Sequence, residues 1–248
     1  MGQVLLREPV RRALPALVLA AAHASCAATE DTDTPGAGNW EINLVVSGEH
    51  TASSRSYAVP ASDINYGWGE RTQLALAVPR VMLREPGMDA RARFASATVG
   101  AKWRFFDDAS SGIALALFPT YAWNLSGSAV RDGLADPGRS VAVPLLAGVR
   151  RGDNALFVQG GRRFVQYGPD EWLAGLKLTR QCRPDLECRV ELDATRADGE
   201  RGRTLASAGF KWRLADQLIL QGSVGRDLGT LGTDGRRLVF MFGVQLLR

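Results

Sequence analysis

One histidine of this chain stands close in sequence to hydroxyl side chains, the pairing that nucleophilic catalysis uses. The histidine is His50, and the neighbouring hydroxyl and carboxylate residues are Ser47, Ser53, Ser54 and Asp63. A serine becomes a nucleophile when a histidine base lies within hydrogen-bond reach and a third group orients that base. We favour the alternative, a loop histidine without catalytic partners, because the whole chain has only two histidines. We therefore predict that the protein is not an enzyme and that it uses no cofactor.

Two cysteines, Cys182 and Cys188, bracket the short segment Arg183–Glu187. In an oxidising compartment, two cysteines at the end of a hairpin are expected to form a disulfide. The competing interpretations are free thiols and a metal site, but no histidine or further cysteine lies nearby to complete four metal ligands. We predict a disulfide and no metal. Its loop is short, so the crosslink is expected to stabilise the fold by about 2–3 kcal/mol.

The elements that must carry these residues are strands. In the segment Asp63–Pro79, apolar residues occupy every second position on both sides of a turn at Gly67–Glu70. Such alternation marks strands whose two faces meet different environments. The pattern recurs to the end of the chain and predicts strands at Asn39–His50, on either side of the turn in Asp63–Pro79, and at Arg93–Phe105, Gly112–Asn124, Ser140–Arg150, Asn154–Phe164, Glu171–Gln181, Cys188–Arg196, Thr204–Arg213, Gln217–Arg226 and Arg237–Leu247.

The connections between these strands alternate in length. Short ones such as Gly67–Glu70 alternate with longer ones rich in Gly, Pro and Asp, which include Gly48–Ser62 and Arg80–Ala92. No run of eighteen or more apolar residues occurs, so the sequence contains no candidate transmembrane helix. Short periplasmic turns alternating with longer external loops are typical of outer-membrane barrels. We predict that residues 39–248 form an all-β fold, a transmembrane antiparallel up-and-down β-barrel of about 12 strands in the cell outer membrane.

The six tryptophans all lie on the apolar parity of their strands and near strand ends. Those beside the predicted periplasmic ends are Trp40, Trp68, Trp103 and Trp212, and those near the external ends are Trp123 and Trp172. Amphipathic rings prefer the level of the lipid headgroups, which gives barrels two aromatic girdles. The alternative is a large soluble β protein, in which tryptophans more often lie mid-strand in the core. We predict an aromatic girdle made of these six residues.

The opposite parity is too polar for a dry interior and is predicted to line a lumen. The candidate lumen residues are Glu41, Asn43, Asp63, Asn65, Gln73, Lys102, Arg104, Lys177, Glu191, Asp193, Lys211, Arg213 and Gln221. They either form a hydrophilic path with a cationic bias at the periplasmic mouth or pair with one another and fill the interior. Barrels of about 8 strands are filled and those of about 16 are open, so both interpretations stay open for a barrel of intermediate size.

Residues 1–27 are predicted to be a signal peptide. Three arginines precede the apolar run Ala13–Ala22, and small residues offer cleavage after Ala24 or Ala27. Cys26 is either removed with the signal peptide or lipidated. Residues 28–38 are polar and are predicted to be a disordered lead-in. The formal charge of +4 is too weak an excess to indicate a nucleic-acid partner.

Parts of this sequence resemble a known family. Trp40-Glu41, the hairpin Asp63–Pro79, Phe118-Pro119-Thr120 and the closing segment Ala174–Leu247 are similar to the outer-membrane transporter family of the MetA-pathway phenol-degradation type. The resemblance spans nearly the whole mature chain, and its motifs are structural rather than catalytic. It implies a single barrel in the outer membrane of a Gram-negative bacterium and passage of small, often aromatic or hydrophobic, compounds. One departure is the end of the chain, which is not aromatic.

From these observations we predict a barrel that gives small molecules passive passage. Its expected partners are outer-membrane lipid and lipopolysaccharide, the barrel-assembly machinery and a small-molecule solute. The alternatives are a lipid-modifying outer-membrane barrel enzyme and a non-conducting structural barrel.

Overall fold

The chain forms one β-sheet that closes on itself. The structure, a computed structural model, describes residues 28–229 and 235–248, so the predicted signal peptide with Cys26 lies outside the described residues. The strands are β1 (Trp40–His50), β2 (Arg55–Gly67), β3 (Thr72–Arg84), β4 (Arg91–Phe94), β5 (Ser96–Asp108), β6 (Ile113–Leu117), β7 (Thr120–Asn124), β8 (Arg139–Arg151), β9 (Asn154–Val165), β10 (Glu171–Arg183), β11 (Leu186–Ala197), β12 (Arg203–Ala215), β13 (Leu218–Asp227) and β14 (Leu238–Leu247). A short helix, α1 (Gly127–Arg131), lies between β7 and β8.

The first and last strands complete the barrel. β1 pairs antiparallel with β14, with Glu41 opposite Leu247 and His50 opposite Leu238. β4 and β5 both pair with β3, and β6 and β7 both pair with β8, so each of these two pairs of segments acts as one interrupted strand. The fourteen segments therefore make a closed antiparallel barrel of twelve strands, which confirms the predicted fold. Apart from the short segment β4, which pairs only with β3, every described strand is paired on both sides, as a membrane-spanning sheet requires.

The two ends of the barrel differ in their connections. The short-turn end carries residues 68–71, 109–112, 152–153, 184–185 and 216–217. The long-loop end carries residues 51–54, 85–90, 125–138, 166–170, 198–202, 228–229 and 235–237. The amide of Trp40 donates to the carbonyl oxygen of Arg248 (2.6 Å), so β1 starts and β14 finishes at the short-turn end. Among the described residues, no helix is long and apolar enough to cross a membrane.

Two strands extend further than the sequence predicts. β2 begins at Arg55 and β3 runs to Arg84, so the predicted loops Gly48–Ser62 and Arg80–Ala92 shorten to residues 51–54 and 85–90. The start of β2 lacks a clear apolar alternation, yet its backbone pairs with β1, Tyr57 lying opposite Gly48. The far part of β3 reverses the pattern, because apolar residues there occupy the inward parity. Alternation alone therefore missed both extensions.

Apolar side chains lie outside this barrel and polar ones inside. On β8, the outward Leu145 is 51% exposed and the inward Leu146 is 0% exposed. The outward parity elsewhere carries further exposed residues such as Val190 and Phe242, while the inward parity buries polar residues such as Lys102 and Gln245. A soluble protein places these classes the other way round. The arrangement fits a barrel whose outer surface contacts lipid and whose interior is polar.

One loop folds back into the long-loop end. The inward residues Val81 and Leu83 of β3 pack with Ala129 of α1 and with Leu134, all fully or almost fully buried. The hydroxyl of Ser126 caps α1 by accepting the amide of Ala129 at 3.1 Å. This apolar cluster holds the loop of residues 125–138 against the inner wall and narrows the long-loop end of the lumen.

Candidate functional site

The lumen contains the segment that precedes the barrel. Residues 28–38, called here the inner segment, begin inside the barrel and leave it at the short-turn end, where the amide of Gly38 donates to the carbonyl oxygen of Gly67. The hydroxyl of Thr29 donates to Asp193 (2.8 Å), and the amide of Glu30 donates to the side-chain oxygen of Gln159 (3.0 Å). Thr29 and Thr32 are buried. This differs from the disordered lead-in expected from the sequence, because a segment too polar to form a core in water finds hydrogen-bond partners inside a polar barrel.

Three wall glycines make room for the inner segment. A Cβ at Gly175 would lie 2.1 Å from the Thr29 hydroxyl, and one at Gly148 would lie 2.9 Å from the Thr32 hydroxyl. At Gly67 a Cβ would lie 1.7 Å from the carbonyl oxygen of Gly36. Glycine is thus required at position 67 because the backbone of Gly36 approaches closely there. In the adjoining turn, glycine is required at position 69 for a different reason, its positive φ of +80°.

The acidic side chains of the inner segment face basic residues of the wall. Lys102, which is 2% exposed, lies 3.2 Å from Glu30 and 3.7 Å from Asp31. Lys177 lies 3.6 Å from the other oxygen of Asp31, and Arg150 forms an ion pair with Asp33. Because the segment is acidic and this wall is basic, the charges of both are compensated inside the barrel.

The neighbouring lysines determine the charge state of Asp31. Burial opposes ionisation of its carboxyl group, but the ammonium groups of Lys177, Lys102 and Lys211 outweigh burial and lower the pKa of the carboxyl well below its usual value. Asp31 is therefore an ionised group held within a cluster of cations.

A second polar network covers the opposite wall. It links six of the predicted lumen residues across β1, β2, β3 and β13: Glu41, Asn43, Asp63, Asn65, Gln73 and Gln221. The Asn43 amide donates to Asp63 (3.3 Å) and Asn65 donates to the same carboxylate (2.9 Å). The Gln73 amide donates to Asn65 at 2.7 Å, and the Gln221 amide donates to Asn43 at 2.9 Å. Neighbouring strands thus hold each other's side chains, and this wall is pre-ordered.

The remaining predicted lumen residues lie outside this network. Glu191 pairs with Arg189 (3.2 Å), and Arg104 donates to the carbonyl oxygen of Glu70 (3.0 Å). Lys211 is half-buried on the inward parity of β12. Arg213, further along the same strand, is exposed at the short-turn end rather than enclosed in the lumen.

Sequence reasoning missed several lumen residues, chiefly on β9. The inward parity of this strand includes Phe157, Gln159 and Arg163, all buried. The parity was ambiguous because two glycines and two arginines follow one another at residues 160–163. Gln159 could have identified the inward face of β9, because it is polar and its neighbour Val158, on the opposite face, is apolar.

A cavity of about 360 Å³ lies beside the inner segment. Its lining comes from the inner segment, the turn 152–153 and strands β8 to β12, and includes Asp31, Asp33, Arg150, Phe157, Lys177, Arg189 and Lys211. The ring of Phe157 lies 4.9 Å from the Arg150 guanidinium and 5.2 Å from the Lys177 ammonium. The cavity therefore offers cationic groups next to an aromatic ring, an environment suited to a small organic anion.

The tryptophans lie on the outside of the barrel. Trp40, Trp68, Trp103, Trp172 and Trp212 are exposed, and Trp123 is half-buried. Trp68 follows the last residue of β2 in a turn of the short-turn end, and Trp123 and Trp172 lie close to the long-loop end. Their placement near the strand ends is compatible with the predicted girdle.

The sequence-level catalytic candidates do not form a site. The ring nitrogen Nε2 of His50 lies 3.0 Å from the hydroxyl of Tyr57, and Ser54 contacts Thr51 instead of the histidine. Asp63 lies opposite Asn43 while His50 lies opposite Arg55, which separates the two by more than about 20 Å along the strands. In the described ranges, no cluster of His, Cys, Asp and Glu could hold a metal ion.

The predicted disulfide is present. Cys182 and Cys188 are bonded across β10 and β11, with their Cα atoms 5.9 Å apart, beside the turn at residues 184–185. The bridge ties two adjacent strands together at the short-turn end.

Comparisons with known proteins identify the fold. No family model and no curated protein matches the sequence. Among solved structures, the COG4313 outer membrane channel from Pseudomonas putida F1 is similar with a TM-score of 0.66 at 14% identity, covering 88% of this chain and 97% of that chain. The NanC porin gives 0.59 at 5% identity, covering 83% and 98% of the two chains. The KdgM porin gives 0.57 at 11% identity, with coverage of 82% and 98%. The described chain therefore has the fold of outer-membrane channel barrels.

Proposed function

We propose that this protein is an outer-membrane barrel that gives small molecules passive passage through its lumen. The observation that carries the proposal is the inverted arrangement of side chains, with apolar residues exposed around the outside and charged residues buried inside. A continuous exposed apolar belt is costly in water and favourable in lipid. Location in the outer membrane and contacts with lipopolysaccharide and the barrel-assembly machinery belong to the same proposal.

The similar solved structures support this function. Their names are those of channels and porins, and one of them is the KdgM porin in complex with disordered oligogalacturonate. We also propose that the chain belongs to the MetA-pathway phenol-degradation family and that it prefers aromatic or hydrophobic solutes. An apolar patch of the inner wall, made of Ala116, Phe118 and Leu146, supports a solute with an apolar part.

A non-conducting structural barrel is the second candidate, and the inner segment favours it. Ion pairs and hydrogen bonds hold the segment inside the lumen, which obstructs the path. The enzyme alternative has less support, because His50 contacts Tyr57 and lies far from Asp63. A lipid hydrolysis activity that a His50→Ala change abolished would establish the enzyme.

Uptake by reconstituted vesicles tests the proposal. The mature chain is placed in lipid vesicles, and entry of phenolic, aliphatic and sugar solutes of matched size is compared with entry into protein-free vesicles. We expect protein-dependent uptake of at least one class. Equal rates for all three classes would remove the aromatic preference, and no uptake of any class would favour the structural barrel.

A further inference from the structure

All the lysines of this protein lie around one carboxylate of the inner segment, either in contact with it or in the wall of the same cavity. The chain has only three lysines, Lys102, Lys177 and Lys211. They lie on three different strands, β5, β10 and β12, and Lys211 lines the same cavity as Asp31. Two of them are within 3.7 Å of its oxygens. A lysine carries a compact charge with three donors, so a ring of lysines suits a single carboxylate approached from several sides.

Asp31, the carboxylate that these lysines surround, belongs to the inner segment and not to the barrel wall. Four cationic groups and four carboxylates line the neighbouring cavity; the carboxylates are Asp31, Asp33, Asp153 and Glu187. Two of these four, Asp31 and Asp33, come from the inner segment. Without them the wall would present four cations and two carboxylates. The wall alone therefore carries an excess of positive charge at this cavity, and the carboxylates of the inner segment neutralise it.

We propose that the three lysines form a carboxylate-binding site of the lumen, that Asp31 occupies it at rest, and that the carboxylate of a small solute takes the place of Asp31. This inference rests on the proposed passage function and names its solute class, small organic carboxylates. The exchange replaces one carboxylate by another on the same ammonium groups, so no charge is left unpaired at the lysines. It also removes the Asp31 contacts of the inner segment with Lys102 and Lys177, while Glu30 keeps its contact with Lys102. Solute binding thereby loosens the inner segment and widens the lumen.

The cavity favours a carboxylate with an apolar body. Phe157 lines it and lies against both Lys177 and Arg150, so an apolar or aromatic group can pack there while its carboxylate reaches the ammonium groups. Benzoate has this form. Benzyl alcohol and benzylamine have a body of similar size and carry no charge or the opposite charge.

Binding to the detergent-solubilised mature chain, measured by isothermal titration calorimetry, tests the inference. The probes are benzoate, benzyl alcohol and benzylamine. The variants are Lys177→Met and Lys211→Met, which remove site cations, and Asp31→Asn, which removes the internal competitor. The matched control is Arg180→Met, which removes a cation from the exposed outward side of the same strand as Lys177. Migration of unboiled samples on a gel identifies which variants are folded.

The expected result is a preference for benzoate that follows the lysines. Loss of a charge-assisted contact should weaken benzoate binding by about tenfold or more in Lys177→Met, and Asp31→Asn should strengthen it by a similar factor. Arg180→Met should bind as the wild type does. Benzyl alcohol binding as well as benzoate, or folded Lys177→Met and Lys211→Met variants that bind like the wild type, would overturn the inference. So would an Asp31→Asn variant with unchanged affinity.

This readout separates the inference from the proposed function. Calorimetry in detergent requires no transport, so lysine-dependent benzoate binding together with absent vesicle uptake would reject passive passage alone. Vesicle uptake together with absent benzoate binding would reject the carboxylate site alone.

Discussion

At the scale of single residues, the contact between Gly175 and Thr29 links the wall to the inner segment. The hydroxyl of Thr29 fills the space that a side chain at position 175 would need, and it donates to Asp193 at 2.8 Å. We predict that Gly175→Ala displaces Thr29 and breaks this hydrogen bond. Loss of a bond to a carboxylate costs about 1.5–3 kcal/mol, so hydrogen exchange at residues 28–34 should accelerate by about tenfold or more, as measured by mass spectrometry.

A neighbouring glycine provides the control for this prediction. Gly160 lies on the next strand and has open space where its Cβ would be. Gly160→Ala should leave exchange of the inner segment unchanged. Equal exchange in the wild type and Gly175→Ala would show that Thr29 is not held by this contact.

At the residue scale, the sequence predicts which face of a strand a side chain occupies, but it does not predict which residues that side chain contacts. Alternation identified the inward side of β10 and β11, and therefore Lys177, Glu191 and Asp193 as inward residues. It carried no information on what Lys177 and Asp193 contact, because their partners Asp31 and Thr29 come from a segment distant in sequence. The convergence of the three lysines became visible only when the strands were brought around a common lumen.

At the scale of elements, the loop of residues 125–138 depends on one buried leucine. Leu134 is 0% exposed and packs with Val81 and Ala129. We predict that Leu134→Ala costs about 2–5 kcal/mol of local packing and frees the loop from the inner wall. Trypsin should then cleave at Arg131 faster than in the wild type. Leu125→Ala, which changes an exposed leucine of the same loop, should not alter the cleavage rate; faster cleavage in both variants would contradict the packing role.

The bridge between β10 and β11 is a second element whose effect can be measured. The bond joins Cys182 to Cys188 across a short turn. We predict that replacing both cysteines by alanine lowers the free energy of unfolding by about 2–3 kcal/mol, because a short crosslinked loop restricts the unfolded chain only modestly. Urea unfolding of the refolded barrel in detergent measures the change. Unchanged stability would mean that the neighbouring backbone pairing already fixes this turn.

Element extent was predictable where side chains alternate and was missed where they do not. The predicted bounds of β8 agree with the structure to within one residue at each end, because its apolar residues alternate without interruption. The start of β2 and the end of β3 were missed because small residues and inward valine and leucine interrupt the pattern. Residues 28–38 were expected to be disordered because their composition describes behaviour in water, and composition does not include the polar lumen that receives them.

At the scale of the whole molecule, the outer surface determines where the barrel resides. Leu145 faces outward near the middle of β8 and is 51% exposed. We predict that Leu145→Arg destabilises the membrane-inserted barrel by about 2–4 kcal/mol, the cost of a cation at mid-bilayer on a barrel surface. Folding into lipid vesicles measures this change.

The matched variant is Tyr167→Arg, which places the same cation at an exposed loop residue of the long-loop end. It should fold into vesicles like the wild type. A Leu145→Arg variant as stable in lipid as Tyr167→Arg would indicate that the outer surface does not contact the hydrocarbon region.

The conductance of single barrels in a planar lipid bilayer tests most directly whether the lumen is a path that the inner segment obstructs. The wild type, Gly175→Ala and Gly160→Ala are compared under the same salt and voltage. Because displacement of Thr29 loosens the obstruction, we predict a small conductance for the wild type and Gly160→Ala and a conductance several times larger for Gly175→Ala. Bilayers that contain folded barrels of all three forms and carry no current would contradict passive passage through this lumen.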